Sequence, residues 1–196
     1  MLGVNVGPNK DSSDRLNDYL IGLEKFSEVA DYITINISSP NTEDLRNFHD
    51  ENKLKELLKS ILEKRKQLKT KIPLAVKISP DINENQINLI SEILLENDVS
   101  AIIISNTSKD SREALQNIQR HQKGGLSGKP IEKKSNLLIS KFYNLVKGKI
   151  KIMYSNLRSL IFKIDPERAH FLAIQSLKLN LVSNIFDENK NDPLLK

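Results

Sequence analysis

Short apolar runs alternate with longer amphipathic stretches along the first 152 residues. The short runs are rich in β-branched residues and apolar on both faces, which predicts strands that are covered on two sides. In the longer stretches, apolar residues recur every three or four positions, most clearly over 54–62 and 87–94, and this spacing predicts helices. The predicted strands are Leu2–Val6, Tyr32–Ile37, Leu74–Ile78, Ala101–Ser105 and Lys149–Ile152.

This alternation stops after residue 152, so two segments are predicted, a βα domain over 1–152 and a helical segment over 153–196. Strands that alternate with helices indicate an α/β fold with a parallel sheet. In the second segment, one amphipathic stretch ends near Lys163, and Asp165 with Pro166 forms the N-cap and first turn of another helix. Two short basic amphipathic helices favour binding to a membrane surface. A helical hairpin packed on the domain fits the same pattern.

Polar side chains follow the predicted strands at the points where they end. An isolated Ser/Asn/Pro cluster such as 36–42 is typical of a turn, but similar groups end the first and fourth strands at Asn5 and Asn106. Because the carboxyl ends of parallel strands meet at one edge of a sheet, this repetition predicts a binding site for a small polar ligand. Lys77 fits either a side chain that reaches solvent or a buried cation that faces an anionic group, and its polar neighbours favour the second. The glycine-rich run 124–128 adds backbone amides that a ligand can approach closely.

Composition excludes several classes of function. The chain has no cysteine, so it forms no disulfide, thiolate metal site or cysteine nucleophile. Its histidines, His49, His121 and His170, have no partners at metal-ligand spacing, and no metal is expected. Aromatic residues make up 5% of the chain and no nucleic-acid reader motif is present, so no nucleic-acid partner is expected. The net charge of +5 permits contact with phosphate or an anionic membrane without requiring either. No apolar run approaches ~20 residues, and no signal peptide is expected.

Several segments together resemble the class 2, quinone-linked dihydroorotate dehydrogenases, in an order and spacing that cover most of residues 2–152. The resemblance implies an FMN-binding (β/α)8 TIM barrel that oxidises dihydroorotate to orotate in pyrimidine biosynthesis and passes the electrons to a quinone. Because a complete barrel has eight strands, we expect an incomplete barrel of about five βα units plus a C-terminal pair of amphipathic helices. The matching segments are Gly3–Gly7 with Asn9–Asp11, Asn36–Thr42, Ala75–Asp81, Asn106–Thr107 and Gly124–Pro130.

The resemblance also implies roles for individual residues. Ser39 would be the catalytic base that removes the C5 proton of dihydroorotate, at a position where the soluble class has cysteine. Ser105 stands where the family usually has threonine, and it keeps the hydroxyl. Hydrogen bonds to the substrate are implied for Asn36, Asn41, Asn106 and Thr107, and contacts with FMN for Asn5, Asn36, Lys77, Ser105 and Gly128.

Stretches within 153–196 resemble the beginning of the same family, although they follow its catalytic body here. Such helices contact the membrane and admit quinone, so the resemblance implies peripheral membrane contact through residues 153–182, at the cytoplasmic face of a bacterial inner membrane or an organelle equivalent. The first strands of the barrel and the glycine loop for the FMN phosphate have no counterpart in this sequence. Our hypothesis is therefore a rearranged, truncated or joined sequence. The alternative function is that of a non-catalytic βα fragment whose basic tail binds a membrane or a protein partner.

Overall fold

The described part of the chain is built around a parallel sheet whose strands follow one another in sequence order. The computed structural model describes residues 2–39, 49–109, 112–113, 115–116, 118–122 and 124–153. It divides into the units 1–153 and 154–196, and the second, with the helices predicted there, lies outside the described residues. The strands of the first unit are β1 Gly3–Val6, β2 Tyr32–Asn36, β3 Leu74–Ile78, β4 Ala101–Ile104 and β5 Lys151–Met153.

Helices connect these strands, and polar side chains cap most of their N-termini. They are α1 Arg15–Phe26, α2 Glu51–Gln67, α3 Glu84–Glu96 and α4 Lys129–Val146, with a 3₁₀ helix at Ile118–His121. Asp14, Asp50 and Asn83 accept hydrogen bonds from backbone N–H groups in the first turns of α1, α2 and α3, which satisfies donors that a helix leaves unpaired. Helix α4 instead begins with proline in its first turn, where the missing N–H costs nothing.

The parallel α/β architecture confirms the prediction from the sequence, and the differences lie at strand ends. Strands β2 and β4 each end one residue earlier than predicted. Strand β5 begins two residues later, because the end of α4 takes up the preceding residues. Lys147 and Gly148 have positive φ angles of 46° and 76°, and the N–H of Lys149 donates to the carbonyl of Val146. These residues therefore close the helix.

The order of the strands places the helices on one face of the sheet. Each strand pairs in parallel with the next strand of the sequence. Because βα crossovers are right-handed, steps that all run in one direction put every helix on the same side. A doubly wound sheet reverses direction and has helices on both sides. The described fold is therefore an arc of a (β/α) barrel.

Alternate residues of the strands have opposite environments. The side facing the helices forms the apolar core, with fully buried residues such as Ile35, Val76 and Ile102. On the other side, which we call the inner face, the register forms two adjacent rows in which every residue except Ile103 is small or polar. One row is Asn5, Thr34, Ala75 and Ala101, and the next, nearer the carboxyl ends, is Asn36, Lys77 and Ile103.

Candidate functional site

Polar side chains from separate βα units meet at the carboxyl end of the sheet, which we call the rim. Asn36 is the last residue of β2, and Asn106 follows β4 by two positions. The backbone N–H of Asn106 donates to the carbonyl of Ile78 at 3.0 Å, which ties this segment to the end of β3. Parallel pairing thus brings together residues that are 70 positions apart in the sequence.

A buried serine links the two asparagines of the rim. The hydroxyl of Ser38 lies 3.0 Å from Asn36 Oδ1 and 3.1 Å from Asn106 Nδ2. The backbone N–H of Ser38 also donates to Asn36 Oδ1 at 3.2 Å, and the backbone N–H of Thr107 donates to Asn106 Oδ1 at 2.8 Å. Ser38 is 0% exposed, so solvent does not compete for these bonds. We call this set the Asn36–Ser38–Asn106 network.

The strand end beneath this network is held from the helix side by Tyr19 of α1. The Tyr19 hydroxyl donates to the backbone carbonyl of Asn36 at 2.7 Å. Burial raises the pKa of Tyr19 well above its usual range, against a smaller opposing effect of Arg15. The phenol therefore remains a protonated donor at physiological pH, and the position of Asn36 is fixed from below.

Lys77 lies on the inner face beside Asn36, its register partner on β2. Its side chain is partly buried, and among the residues that the structure describes its ammonium group forms no hydrogen bond or ion pair. The neighbouring row of the inner face contains Ala75 and Ala101, which are small and buried. This leaves a cation above a floor of small side chains, an arrangement suited to a flat ligand with an electron-rich edge.

A carboxylate next to the rim holds the segment that leads into α4. Asp81 Oδ1 accepts hydrogen bonds from Ser108 Oγ at 2.5 Å and from Lys134 Nζ at 2.8 Å, and Oδ2 accepts one from the Lys109 N–H at 2.8 Å. Burial alone would raise the pKa of Asp81, but these hydrogen bonds from Lys134, Ser108 and Lys109 hold it well below its usual range. Ser108 also pairs with Leu126 through two backbone hydrogen bonds of 2.8 and 2.7 Å. Asp81 therefore closes the base of the loop that precedes α4.

Glycines at the end of this loop adopt backbone angles that other residues avoid. Gly124 and Gly128 have φ angles of +127° and +78°, and a Cβ atom built on either would meet nothing within 4 Å. Their requirement is therefore conformational.

The remaining predicted site residues have varied positions. Asn5 lies on the inner face of β1 and is exposed, and Ser39 follows the network and is partly buried. The Ser105 hydroxyl donates to the Asn106 carbonyl at 3.1 Å and lies 3.3 Å from Ser135 Oγ on α4. Asn41 and His170 lie outside the described residues.

Sequence reasoning assigned no role to Ser38 or Asp81. An asparagine side chain at a turn commonly accepts from the backbone N–H two residues on, so the bond from the Ser38 N–H to Asn36 was open to prediction. The partners of Asp81 lie 27 to 53 positions away in the sequence, and no local pattern marks them. Within the described ranges, no cluster of three or more metal-ligating side chains occurs, and no helix has the length and apolar character needed to cross a membrane.

The chain is similar in sequence to known dihydroorotate dehydrogenases. The family model for dihydroorotate dehydrogenase matches residues 1–155. Dihydroorotate dehydrogenase (quinone) of Agrobacterium fabrum is 42% identical over 158 residues, which cover 78% of this chain and 43% of that protein. The corresponding protein of Chelativorans sp. is 41% identical over 150 residues, which cover 74% of this chain and 41% of the relative.

Solved structures agree with this match. The ligand-free dihydroorotate dehydrogenase of Eimeria tenella superposes with a TM-score of 0.73 at 30% identity, over 77% of this chain and 46% of that one. The same enzyme in complex with ferulenol gives a TM-score of 0.71 at 29% identity, over 76% of this chain and 45% of that one. The chain thus spans less than half the length of these relatives. Because the family model matches residues 1–155, the chain belongs to the dihydroorotate dehydrogenase family.

Proposed function

We propose that this chain contributes to a flavin-dependent oxidation of dihydroorotate to orotate in pyrimidine biosynthesis, with a quinone as the final electron acceptor. The observation that carries the proposal is the Asn36–Ser38–Asn106 network beside Lys77 at one rim of the sheet. Amides and a cation at this rim suit a planar, acceptor-rich anion such as orotate.

The residues of the inner face fit a flavin. Dihydroorotate dehydrogenases are generally flavin-dependent, and we propose FMN as the flavin of this protein. Small side chains at Ala75 and Ala101 leave a flat floor for a ring system, and the Lys77 ammonium provides a cation near its edge. We propose further FMN contacts through Asn5, Asn36, Ser105 and Gly128. When bound, the flavin supplies a hydride acceptor for the substrate and an electron donor for quinone.

We propose that Ser39 removes the C5 proton of dihydroorotate while the C6 hydride leaves the substrate. A serine hydroxyl holds its own proton tightly, so this role requires a relay for that proton and a site from which bulk water is excluded. Asn36, Asn41, Asn106 and Thr107 hold the substrate through hydrogen bonds. Lys77 stabilises the negative charge that develops on the cofactor.

Membrane association is the second part of the proposal. Quinones reside in membranes, and the basic amphipathic pattern within 153–182 favours peripheral binding to an anionic surface. We propose that this segment binds the cytoplasmic face of a bacterial inner membrane or the equivalent surface in an organelle. The support for membrane binding is the basic amphipathic sequence pattern within 153–182.

The full chain, reconstituted with FMN, tests the catalytic part. We expect flavin fluorescence to be quenched on binding, and we expect dihydroorotate, but not orotate, to bleach the visible flavin absorption without oxygen. Ser39→Ala should retain the flavin and slow this bleaching by on the order of 10²- to 10⁴-fold, since it lacks the base. Ser91→Ala is the matched control, because Ser91 is a buried serine on α3 that bonds to the carbonyl of Ile87 in its own helix. A chain that binds no flavin would contradict the proposal and favour the non-catalytic alternative.

A further inference from the structure

Two backbone N–H groups determine how both asparagine side chains of the network are oriented. A backbone N–H is only a donor, so the atom of Asn36 that lies 3.2 Å from the N–H of Ser38 must be the amide oxygen. For the same reason, the atom of Asn106 that lies 2.8 Å from the N–H of Thr107 must be its amide oxygen. Each amide therefore directs its NH2 group away from its own backbone partner.

These orientations leave Ser38 a single way to bond. Its hydroxyl lies 3.0 Å from the Asn36 oxygen, which only accepts, so the Ser38 proton must be donated there. The Asn106 NH2 group lies 3.1 Å from the same hydroxyl and only donates, so Ser38 accepts from it. The hydrogen bonds therefore run in one direction, from Asn106 through Ser38 to Asn36.

The directed hydrogen bonds determine which donor and acceptor groups of the rim are left for a ligand. The network uses both lone pairs of the Asn36 oxygen, one lone pair of the Asn106 oxygen and one N–H of Asn106. It leaves the Asn36 NH2 group and the second N–H of Asn106, and the neighbouring Lys77 adds an ammonium group. These donors outnumber the one acceptor position left on the Asn106 oxygen, so the rim matches a ligand that presents acceptors and negative charge.

We propose that Ser38 is a positioning residue whose hydroxyl holds both asparagine amides in these orientations and thereby selects acceptor-rich anions at the rim. The choice of orotate as the probe ligand rests on the proposed function, whereas the direction of the bonds does not. Ser38 contacts neither substrate nor cofactor in this role. It acts through Asn36 and Asn106.

Nuclear magnetic resonance of the side-chain amides of the full chain tests the direction without any ligand. In the wild-type chain, one Asn106 NH2 proton should exchange with water more slowly than its geminal partner, and both Asn36 NH2 protons should exchange without protection. In Ser38→Ala, the slow Asn106 proton should speed up by roughly two- to tenfold, the range that one neutral hydrogen bond supports. Ser38→Thr, which keeps a hydroxyl, should restore the slow exchange, and Ser91→Ala should leave it unchanged.

Orotate binding to the same variants tests the selection. Wild type should bind orotate more tightly than orotamide, in which a neutral amide replaces the carboxylate, and Ser38→Ala should weaken orotate binding by about tenfold. Protection of the Asn36 protons in wild type would overturn the role of Ser38, and this measurement needs no variant. An unchanged exchange rate of the slow Asn106 proton in Ser38→Ala would overturn it as well. A wild-type chain that shows the directional pattern but binds no orotate would overturn the proposed ligand and support the role of Ser38.

Discussion

Adjacent serines in the segment after β2 have different surroundings although their side chains are identical. Ser38 is fully buried and bonded on both sides by asparagine amides, whereas Ser39 is partly buried at the next position. A hydroxyl that already donates and accepts within a buried network is poorly placed to take a proton from a substrate. The geometry therefore argues against Ser38 as the candidate base.

A substitution of Lys77 tests whether its positive charge contributes to FMN binding. We expect Lys77→Met to weaken FMN binding roughly ten- to a hundredfold, because one charge-assisted hydrogen bond to the ring is lost. Fluorescence titration of the full chain with FMN measures this effect. Lys53→Met makes the same change in net charge at an exposed position on α2 and should leave the affinity unchanged. Equal losses in the two variants would show that the effect is one of overall charge.

Residue types at the rim were predictable, but their connections were not. The polar groups at Asn36, Lys77 and Asn106 stand out because they interrupt or end apolar strands. The contact between Ser38 and Asn106 spans 68 positions and depends on how β2, β3 and β4 align. Register is a property of the folded sheet, so local sequence does not reveal that contact.

At the scale of elements, α1 approaches β1 closely through Gly22. A Cβ atom at this position would lie 2.8 Å from Cγ1 and 3.1 Å from Cβ of Val6. Valine is stiff about its χ1 angle and cannot easily turn away. A glycine within a helix ordinarily costs about 1 kcal/mol relative to alanine, and here the close packing explains its presence.

We therefore expect Gly22→Ala to destabilise the protein despite the better helix propensity of alanine. The overpacking cost should be about 1–3 kcal/mol in the free energy of unfolding, measured by urea denaturation. Combining Gly22→Ala with Val6→Ala removes the clashing methyl groups, so the double variant should lose less than the sum of the single variants. Additive losses would contradict the packing argument.

Asp81 connects the end of β3 to α4, and this connection should depend on pH. Its pKa is lowered in the folded state, so its contribution to stability is present above the unfolded pKa of about 3.9 and is lost as the pH falls through the folded value. Urea midpoints of wild type should therefore fall between pH 6 and strongly acidic pH by more than those of Asp81→Asn. Glu92→Gln is the control, since Glu92 is an exposed carboxylate on α3. If Asp81→Asn and wild type lost stability in parallel, the carboxylate would not be the source.

Strands were easier to predict than helices in this chain. The five β-branched runs have no polar interruptions on the face that packs against the helices. Helices α1 and α4 have a less regular apolar pattern, because their buried faces include Tyr19 and Ser135 among the apolar residues. Both polar groups are satisfied by partners from the sheet or the segment after it, Asn36 and Ser105, which a helical pattern alone does not show.

At the scale of the whole molecule, the basic tail predicts a salt-dependent association with membranes. Replacing four of its basic residues with glutamine in the full chain should weaken binding to anionic vesicles, by about 1 kcal/mol for each residue near the surface. Co-sedimentation with anionic and neutral vesicles at two salt concentrations measures this effect. A matched set at the exposed residues Lys53, Lys59, Lys147 and Lys149 controls for net charge. The tail residues to be replaced are Arg158, Lys163, Arg168 and Lys178.

The strand order has a consequence for how the chain acquires its structure. In the described sheet, each strand after β1 pairs with the strand that precedes it in the sequence, so none of these five strands needs to wait for a more distant partner. Each pairing spans one βα connection, so it closes a shorter loop than pairing between strands further apart in the sequence would. During synthesis, we expect each new βα unit to dock on the edge left by its predecessor, so that the arc grows vectorially from its first strand as the ribosome releases it.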